Sequence, residues 1–439
     1  MLVALILVNF AAGRLIEDAH GDERRAWLIL ALACDVGSLF YFKYMGWFLE
    51  NLGRLTNTDF SFFRVALPLG VSFYVFQSIA YVADVYRGDA EAECSLLDYA
   101  AFQAMFPQLV MGPILRLRDV SAELHTKRPF SRAAVESGFS LFVVGLGCKV
   151  VLADQLASLW TALERIGFAY LSAPLAWFGA VGYSLQLYYD FAGYSLMAMG
   201  LARMLGFVIP RNFDLPYCSR SISEFWRRWH ITLGIWFRDY LYIPLGGSRK
   251  GKARQLLNIL IVWLATGLWH GAAWKYVAFG LFNGMAILIS SLMQPWTQKL
   301  AKALRIRREN FFYRLFEIGR TMLLVLAGYY FDIAPGFKAA MKMMLRSVTD
   351  IHLSDLGDFA CLAPSKLDRL DYLVIIFGSL VMLIVSIVRE HTGRDVRQQL
   401  MRKPTIVQWP IYIALIMLIA VLGVYGPGCN PADFVYMQF

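Results

Sequence analysis

The sequence predicts an all-α integral membrane protein that crosses the bilayer many times. Hydrophobic residues make up 58% of the 439 residues and charged residues only 17%, with a mean hydropathy of +0.51. Soluble globular proteins carry about a quarter charged residues and about half apolar ones. The apolar residues here are grouped into segments near the length of about 20 residues that a helix needs to cross a bilayer. A polytopic helical bundle is therefore favoured over a soluble core.

The apolar segments predict about 10–11 transmembrane helices, together with short re-entrant or interfacial helices. The segment 256–293 is too long for one crossing at about 1.5 Å per residue, so we expect it to break near Gly271 or Lys275 and return. The predicted spans are 2–13 (short), 26–48, 65–86, 99–115, 135–160, 173–200, 229–243 (short), 256–293, 315–334, 371–389 and 406–426.

The basic loops set the predicted orientation of the chain in the membrane. By the positive-inside rule they face the cytoplasm, which leaves the acidic loop Asp89–Asp98 and residues 335–370 outside. The apolar N-terminal sequence has neither a basic n-region nor an A-x-A site, so it is predicted to be an uncleaved span or half-span. We interpret residues 1–439 as one membrane domain. The basic loops are 116–134, 203–228, 249–254, 299–314 and 389–403.

Two other readings of the composition are disfavoured. The net charge of +10 could suggest nucleic-acid binding, but the basic residues lie in short runs between apolar spans and not on one surface. The six cysteines have no metal-binding spacing, so no metal site is predicted. Cys361 and Cys429 could share the outer face and pair, which spacing alone does not decide.

Residues 210–250 carry too many charges for a lipid-facing helix. The spacing of Ser221 and Glu224 predicts a helix start near Ile222, and Pro244 with Gly246–Gly247 predicts its end. On one continuous helix an aromatic stripe containing His230 forms, with Arg227 and Arg238 on another face. Arginines there could bind carboxylates or phosphates. The stripe residues are Trp226, His230, Leu233, Phe237 and Tyr240. The alternative is an interfacial helix with its aromatics in the belt and its arginines on lipid phosphates.

Two further polar residues are predicted within spans. A helix from the basic loop places His270 about 21 Å into a hydrocarbon core about 30 Å thick, where a histidine is a functional candidate. A histidine hydrogen-bonded inside the bundle is the alternative. Asp190 lies mid-span and needs a partner, for which an Arg or His is expected. It could equally be a structural brace.

Three ordered motifs resemble the membrane-bound O-acyltransferase (MBOAT) family, in a bacterial branch similar to the membrane subunit of alginate O-acetylation. They are YYDFAGYS (188–195), ISEFWRRWHITLGIWFRDYLYIPLGG (222–247) and GLWHGAAW (267–274), with weaker support from 76–88 and 106–116. The resemblance is dense over about 70–290. Relatives usually carry one or two more hydrophobic segments before the stretch similar to residues 1–50, which implies an N-terminally short version or a late start.

The resemblance implies a ring-like bundle with a tunnel, in a bacterial plasma (inner) membrane. It also implies that His270 is catalytic and that His230 is the second polar residue of the site. We expect His270 to deprotonate an acceptor hydroxyl, and His230 to orient the substrate, share the proton or donate to the oxyanion. The supporting or donor-binding candidates are Asp190, Arg227, Arg228, Arg238, Asp239, Trp269 and Arg116.

No bound cofactor is expected; acetyl-CoA or an acyl-carrier thioester would be the co-substrate. The implied acceptor is an exported polysaccharide such as alginate, reached through an extracytoplasmic SGNH-type acetyltransferase. D-Alanyl transfer to teichoic acid from a carrier protein is the close alternative. A proton-coupled transporter would also use intramembrane His and Asp, and a passive scaffold would need neither histidine.

Overall fold

The computed structural model describes residues 1–60, 62–63, 65–356 and 367–425. Within these ranges the regular secondary structure is helical, which confirms the predicted fold class. Cys361 and Cys429 lie outside the described residues, so their pairing stays a prediction. The chain divides into two compact units: an N-terminal unit of residues 1–139, 198–211 and 232–245, and a C-terminal unit of residues 140–197, 212–231 and 246–439.

The α-helices are numbered in chain order. They are α1 (Leu2–Asp18), α2 (Gly21–Leu39), α3 (Met45–Thr56), α4 (Val71–Arg87), α5 (Leu96–Gln103), α6 (Leu117–His125), α7 (Arg132–Gly147), α8 (Asp154–Ile166), α9 (Ala173–Met204), α10 (Ile222–Arg228), α11 (Ile231–Phe237), α12 (Lys252–His270), α13 (Trp274–Ala303), α14 (Phe311–Ile333), α15 (Phe337–Thr349), α16 (Arg369–Thr392), α17 (Val396–Met401) and α18 (Thr405–Leu422). Short π-helical segments at Phe40–Tyr44, Cys148–Ala153 and Arg238–Tyr242 continue α2, α7 and α11.

Among the described residues, five helices are long and apolar enough to cross a membrane. They agree with the predicted spans 26–48, 135–160, 371–389 and 406–426 and with the second half of 256–293. The helices α16 and α18 are almost unburied by the rest of the chain. Apolar helices with bare surfaces are suited to contact with lipid tails. The five are Gly21–Thr56, Arg132–Ile166, Trp274–Ala303, Arg369–Thr392 and Thr405–Leu422.

In the N-terminal unit, α4 is the central helix, and nearly all its side chains from Val71 to Val85 are buried. Its polar side chains are hydrogen-bonded within the unit. The amide of Gln103 donates to the Tyr74 carbonyl at 2.6 Å and to the Ser78 hydroxyl at 2.7 Å. Buried polar groups need such partners because an unmade hydrogen bond costs about 1–3 kcal/mol.

The predicted span 99–115 is wrong, because this segment enters the unit and returns. Its helix α5 has eight residues, or about 12 Å, against a hydrocarbon core of about 30 Å. Irregular backbone containing Pro107 and Pro113 follows, and proline cannot donate to a helical ladder. A Cβ on Gly70, at the start of α4, would overlap the Leu109 carbonyl. Residues 96–117 therefore form a re-entrant loop beside α4.

The return of this loop places the acidic loop beside the basic loop 116–134. His125 lies 2.9 Å from Glu93, and Arg118 lies 3.4 Å from Asp89. Contacts of this length cannot join opposite faces of a bilayer, so the prediction that these two loops face opposite sides is wrong. If the basic loop is cytoplasmic, Asp89–Asp98 is cytoplasmic too.

In the C-terminal unit, α12 and α13 form the tight helical hairpin predicted for 256–293. The break lies at Gly271–Ala273, as expected. Glycine allows the close packing of the two helices: a Cβ on Gly267 would overlap the Tyr276 carbonyl, and one on Gly280 would overlap the Trp263 carbonyl. Small residues allow backbones in membranes to approach closely in this way.

The re-entrant loop predicts a specific labelling pattern. In a Cys94→Ser background, cysteines at Glu91 and Lys127 should both react with an impermeant thiol reagent from the cytoplasmic face, because both exposed positions lie on one side. A cysteine at Asn57, at the end of the helix Gly21–Thr56, should react from the opposite face. The measurement is labelling in right-side-out and inside-out vesicles. Labelling of Glu91→Cys and Lys127→Cys from opposite faces would contradict the loop.

Candidate active site

The predicted catalytic histidine is the last residue of α12. His270 therefore lies about 27 Å along the helix axis from Lys252, and its side chain is 7% exposed. Its ring lies 4.9 Å from Phe279 and 5.3 Å from Trp269 between centroids. The imidazole thus lies in an aromatic setting at the turn of the α12–α13 hairpin, where Gly271 leaves space for the Tyr276 ring.

The second histidine reaches the same cluster from a break between helices. His230 is 3% exposed, and its ring lies 5.5 Å from Trp269 and 4.7 Å from Phe191. Trp269 is therefore in contact with both imidazoles. The structure brings together the predicted residues His230, Trp269 and His270.

The continuous helix and its aromatic stripe predicted from Ile222 onward are wrong. Ser221 accepts from the Glu224 amide at 3.2 Å and starts α10 as expected, but α10 ends at Arg228 and Trp229 is extended. His230 has a φ of +45°, in the left-handed region that non-glycine residues rarely adopt. Such backbone costs about 1–3 kcal/mol and is concentrated at functional sites.

A neighbouring loop segment stabilises this break. The Asn212 carbonyl accepts from the Ile231 amide, and the Arg228 carbonyl accepts from the Asp214 amide, both at 2.9 Å. The Asn212 side-chain oxygen lies 3.1 Å from His230 Nδ1, and its amide nitrogen lies 3.4 Å from the Ser195 hydroxyl. Asn212 was not singled out from the sequence, because one asparagine in a loop carries no periodic or motif signal.

Asp190 belongs to a buried ion cluster with a partner that the sequence reading missed. Lys149 Nζ lies 2.8 Å from Asp190 and 2.6 Å from Asp154. The Arg or His expected as the partner is thus replaced by a lysine on the π-helical segment Cys148–Ala153. A single cation inside an apolar span was the available signal. The geometry is that of a brace between α8 and α9 around this segment.

The arginines at the end of α10 differ in their surroundings. Arg228 lies 2.8 Å from Glu224 and 2.8 Å from Glu390, and the hydrogen bonds that it donates to Glu390 raise the pKa of this guanidinium. The side chain of Arg227 is exposed. Arg228 therefore stabilises the unit through its ion pairs, whereas the exposed Arg227 remains a candidate for binding the donor.

The remaining predicted site residues lie in an ion network within the N-terminal unit. Asp239 lies 3.1 Å from Arg116 and 2.7 Å from Arg238, and Arg116 also pairs with Asp119 at 2.8 Å. Burial is the largest single effect and lowers the pKa of Arg116, but the Asp119 hydrogen bond and the nearby negative charges of Asp119 and Asp239 together raise it. These side chains already have anionic partners, which reduces their value as phosphate ligands.

The same unit contains one group with possible metal ligands among the residues described. Ligand atoms of Glu93, Asp98 and His125 lie within 4.8 Å of one another. Glu93 is occupied, because its carboxylate accepts from the amides of Cys94 and Ser95 at 3.0 and 3.2 Å. The hydrogen bond to Glu93 raises the pKa of His125. The arrangement is that of an ion pair that fastens the acidic loop.

The family profile described as "MBOAT, membrane-bound O-acyltransferase family" matches residues 89–331, which include both histidines. The chain belongs to the membrane-bound O-acyltransferase family. The resemblance read from the motifs is confirmed, and the chain is a multi-pass membrane protein.

Individual relatives of this MBOAT protein carry acyl-transfer names. It is 40% identical over 341 residues to the probable alginate O-acetylase AlgI of Pseudomonas syringae pv. tomato, covering 75% of this chain and 62% of that protein. It is 34% identical to a peptidoglycan O-acetyltransferase of Helicobacter pylori, covering 68% and 62%. It is 29% identical to a teichoic acid D-alanyltransferase of Streptococcus thermophilus, covering 53% and 58%. The match thus spans about three-fifths of the length of these relatives.

The buried ion cluster predicts a stability effect. Lys149→Met should lower the free energy of unfolding by about 3 kcal/mol, because it leaves the buried carboxylate of Asp190 and the half-buried carboxylate of Asp154 without their cation. Replacing Asp154 and Asp190 by Asn in the same variant should restore most of the lost stability, because no buried charge is then left unpaired. The measurement is thermal unfolding in detergent.

The matched control is Arg132→Met, because the Arg132–Glu136 pair is exposed and such a pair contributes at most about 1 kcal/mol. Equal losses for Lys149→Met and Arg132→Met would show that the cluster is not a brace.

Proposed function

We propose that this protein transfers an acetyl group from a cytoplasmic thioester towards an exported polysaccharide, with His270 as the general base. The observation that carries the proposal is the pair of buried imidazoles around Trp269, in the segment that matches the acyltransferase family. The relative with the alginate O-acetylase name is more similar than those named for other acceptors. This favours acetyl over D-alanyl and a polysaccharide such as alginate as the acceptor.

The reaction needs one proton to move. His270 removes the proton of an acceptor hydroxyl, the oxygen attacks the thioester carbonyl, and a tetrahedral oxyanion forms. The C–S bond then breaks, an ester remains on the acceptor, and the proton passes from the imidazolium to the leaving thiolate. No redox partner is needed. The burial of His270 excludes water that would otherwise hydrolyse the thioester.

We assign the donor to the cytoplasmic side on charge. Acetyl-CoA and an acyl-carrier phosphopantetheine both carry phosphate, which arginine binds in a bidentate manner. Of the predicted arginines, Arg227 and Arg238 have exposed side chains. Arg238 is paired with Asp239 at 2.7 Å, so we assign the donor contact to Arg227. The acceptor side is proposed to require an SGNH-type acetyltransferase outside a bacterial inner membrane.

The proposal is tested by acetyl transfer in proteoliposomes. Acetyl-labelled acetyl-CoA is supplied at the cytoplasmic face and mannuronate oligosaccharide at the other face, with and without an SGNH-type acetyltransferase. We expect labelled ester on the sugar in at least one arm, and a loss of about 10²–10⁴-fold in His270→Ala, the usual contribution of a general base.

The matched control is His20→Ala, because His20 lies in the connection between α1 and α2, and it should transfer at the wild-type rate. Three outcomes contradict the proposal. These are transfer at full rate by His270→Ala, labelled donor crossing the membrane without ester formation, and no ester in either arm.

A further inference from the structure

The contacts of His230 identify a residue outside the predicted site that controls its chemistry. A neutral imidazole carries one N–H donor and one acceptor nitrogen, and its hydrogen-bond partners decide which is which. The partner of Nδ1 is the side chain of Asn212, at 3.1 Å. Both side chains are buried, Asn212 fully and His230 to 3% exposure, so this bond forms in a setting of low dielectric constant.

The Asn212 amide lies with its oxygen towards the imidazole. Its Oδ1 is 3.1 Å from His230 Nδ1, and its Nδ2 is 3.4 Å from the Ser195 hydroxyl, which can accept from it. A carbonyl oxygen only accepts hydrogen bonds, and the atom opposite it must therefore be a donor. Nδ1 of His230 then carries the hydrogen, and in the neutral ring Nε2 is the acceptor nitrogen.

The backbone holds Asn212 and His230 in register. The Asn212 carbonyl accepts from the Ile231 amide at 2.9 Å, one residue beyond the left-handed His230. One asparagine thus binds the chain at residue 231 and the side chain at residue 230. A strained conformation persists only when its surroundings impose it, and Asn212 supplies both contacts.

We infer that Asn212 is a positioning residue that holds His230 as the Nδ1–H tautomer and presents Nε2 as a hydrogen-bond acceptor. This inference rests on the proposed function for its kinetic consequence, although the tautomer itself does not depend on it. In this state His230 cannot donate from Nε2 to an oxyanion. It accepts the hydrogen bond of the attacking hydroxyl or relays a proton with His270, whose ring lies against the same Trp269 side chain.

The first test measures the tautomer in lipid by solid-state NMR of protein labelled with ¹⁵N-histidine. The His230 signals are identified by their loss in His230→Gln. We expect a protonated Nδ1 and an unprotonated Nε2 in the wild type, and a shift towards the Nε2–H form in Asn212→Leu. A wild-type spectrum with hydrogen on Nε2 alone overturns the inference, whatever the protein transfers.

The second test separates positioning from folding through kinetics. Asn212→Leu should lower kcat about 10–100-fold, as the loss of a partner that orients a histidine does elsewhere, while KM stays near its wild-type value. Asn212→Asp keeps an oxygen acceptor at the same place and should recover most of kcat. An unchanged kcat in a folded Asn212→Leu variant overturns the inference.

The matched control is Asn258→Leu. Asn258 is also fully buried, and its amide donates to the Gly247 carbonyl at 3.0 Å. This variant should lose thermal stability without changing the His230 signals. A wild-type protein that transfers no acetyl group counts against the proposed function alone, because the NMR test still decides the tautomer. If Asn212→Leu does not fold, the wild-type spectrum and Asn212→Asp decide.

Discussion

The site depends on one constraint, namely that polar groups buried in apolar surroundings must be hydrogen-bonded. If one helix ran through His230, its backbone amides and carbonyls would hydrogen-bond to each other, and the backbone groups of the preceding loop would lose their hydrogen-bond partners. The chain instead breaks at Trp229–His230, and the loop from Asn212 to Asp214 supplies the missing bonds. The same exchange brings the imidazole out of the helix and against Trp269. The same break in the helix therefore provides the backbone hydrogen bonds of the loop and the position of the His230 side chain.

Charged groups follow the same rule at a higher cost. An ion removed from water is retained only when it is paired and hydrogen-bonded, and the cations at Lys149, Arg116 and Arg228 all lie against carboxylates. These pairs join segments distant in sequence, such as α10 with α16 through Arg228 and Glu390. Most of the arginines that the sequence motifs suggest for donor binding therefore already lie in ion pairs within the protein.

Much of the fold and part of the site could be predicted from the sequence, for identifiable reasons. Composition predicted a helical membrane protein, and the length of the apolar segment 256–293 predicted a helical hairpin. Both predictions depend only on the hydrophobicity of residues that are neighbours in sequence. The failures depend on contacts between distant segments. Hydropathy alone does not distinguish 99–115 from a crossing, although Pro107 and Pro113 argue against one long helix. The helical periodicity likewise predicted one continuous helix through His230. The contact of His230 with Asn212, which accompanies the break, joins residues distant in sequence and leaves no local sequence pattern.

The arrangement of the histidine cluster also bears on what can vary among relatives. The cluster combines His230, at a helix break, with Trp269 and His270, at the end of α12. Glycines at 267 and 280 allow the close packing of α12 against α13. Acyl transfer from a thioester to a hydroxyl needs the same proton movement for acetyl as for D-alanyl, and for a sugar as for another alcohol. Under the proposed function, acceptor and acyl specificity should then depend on surfaces around the cluster.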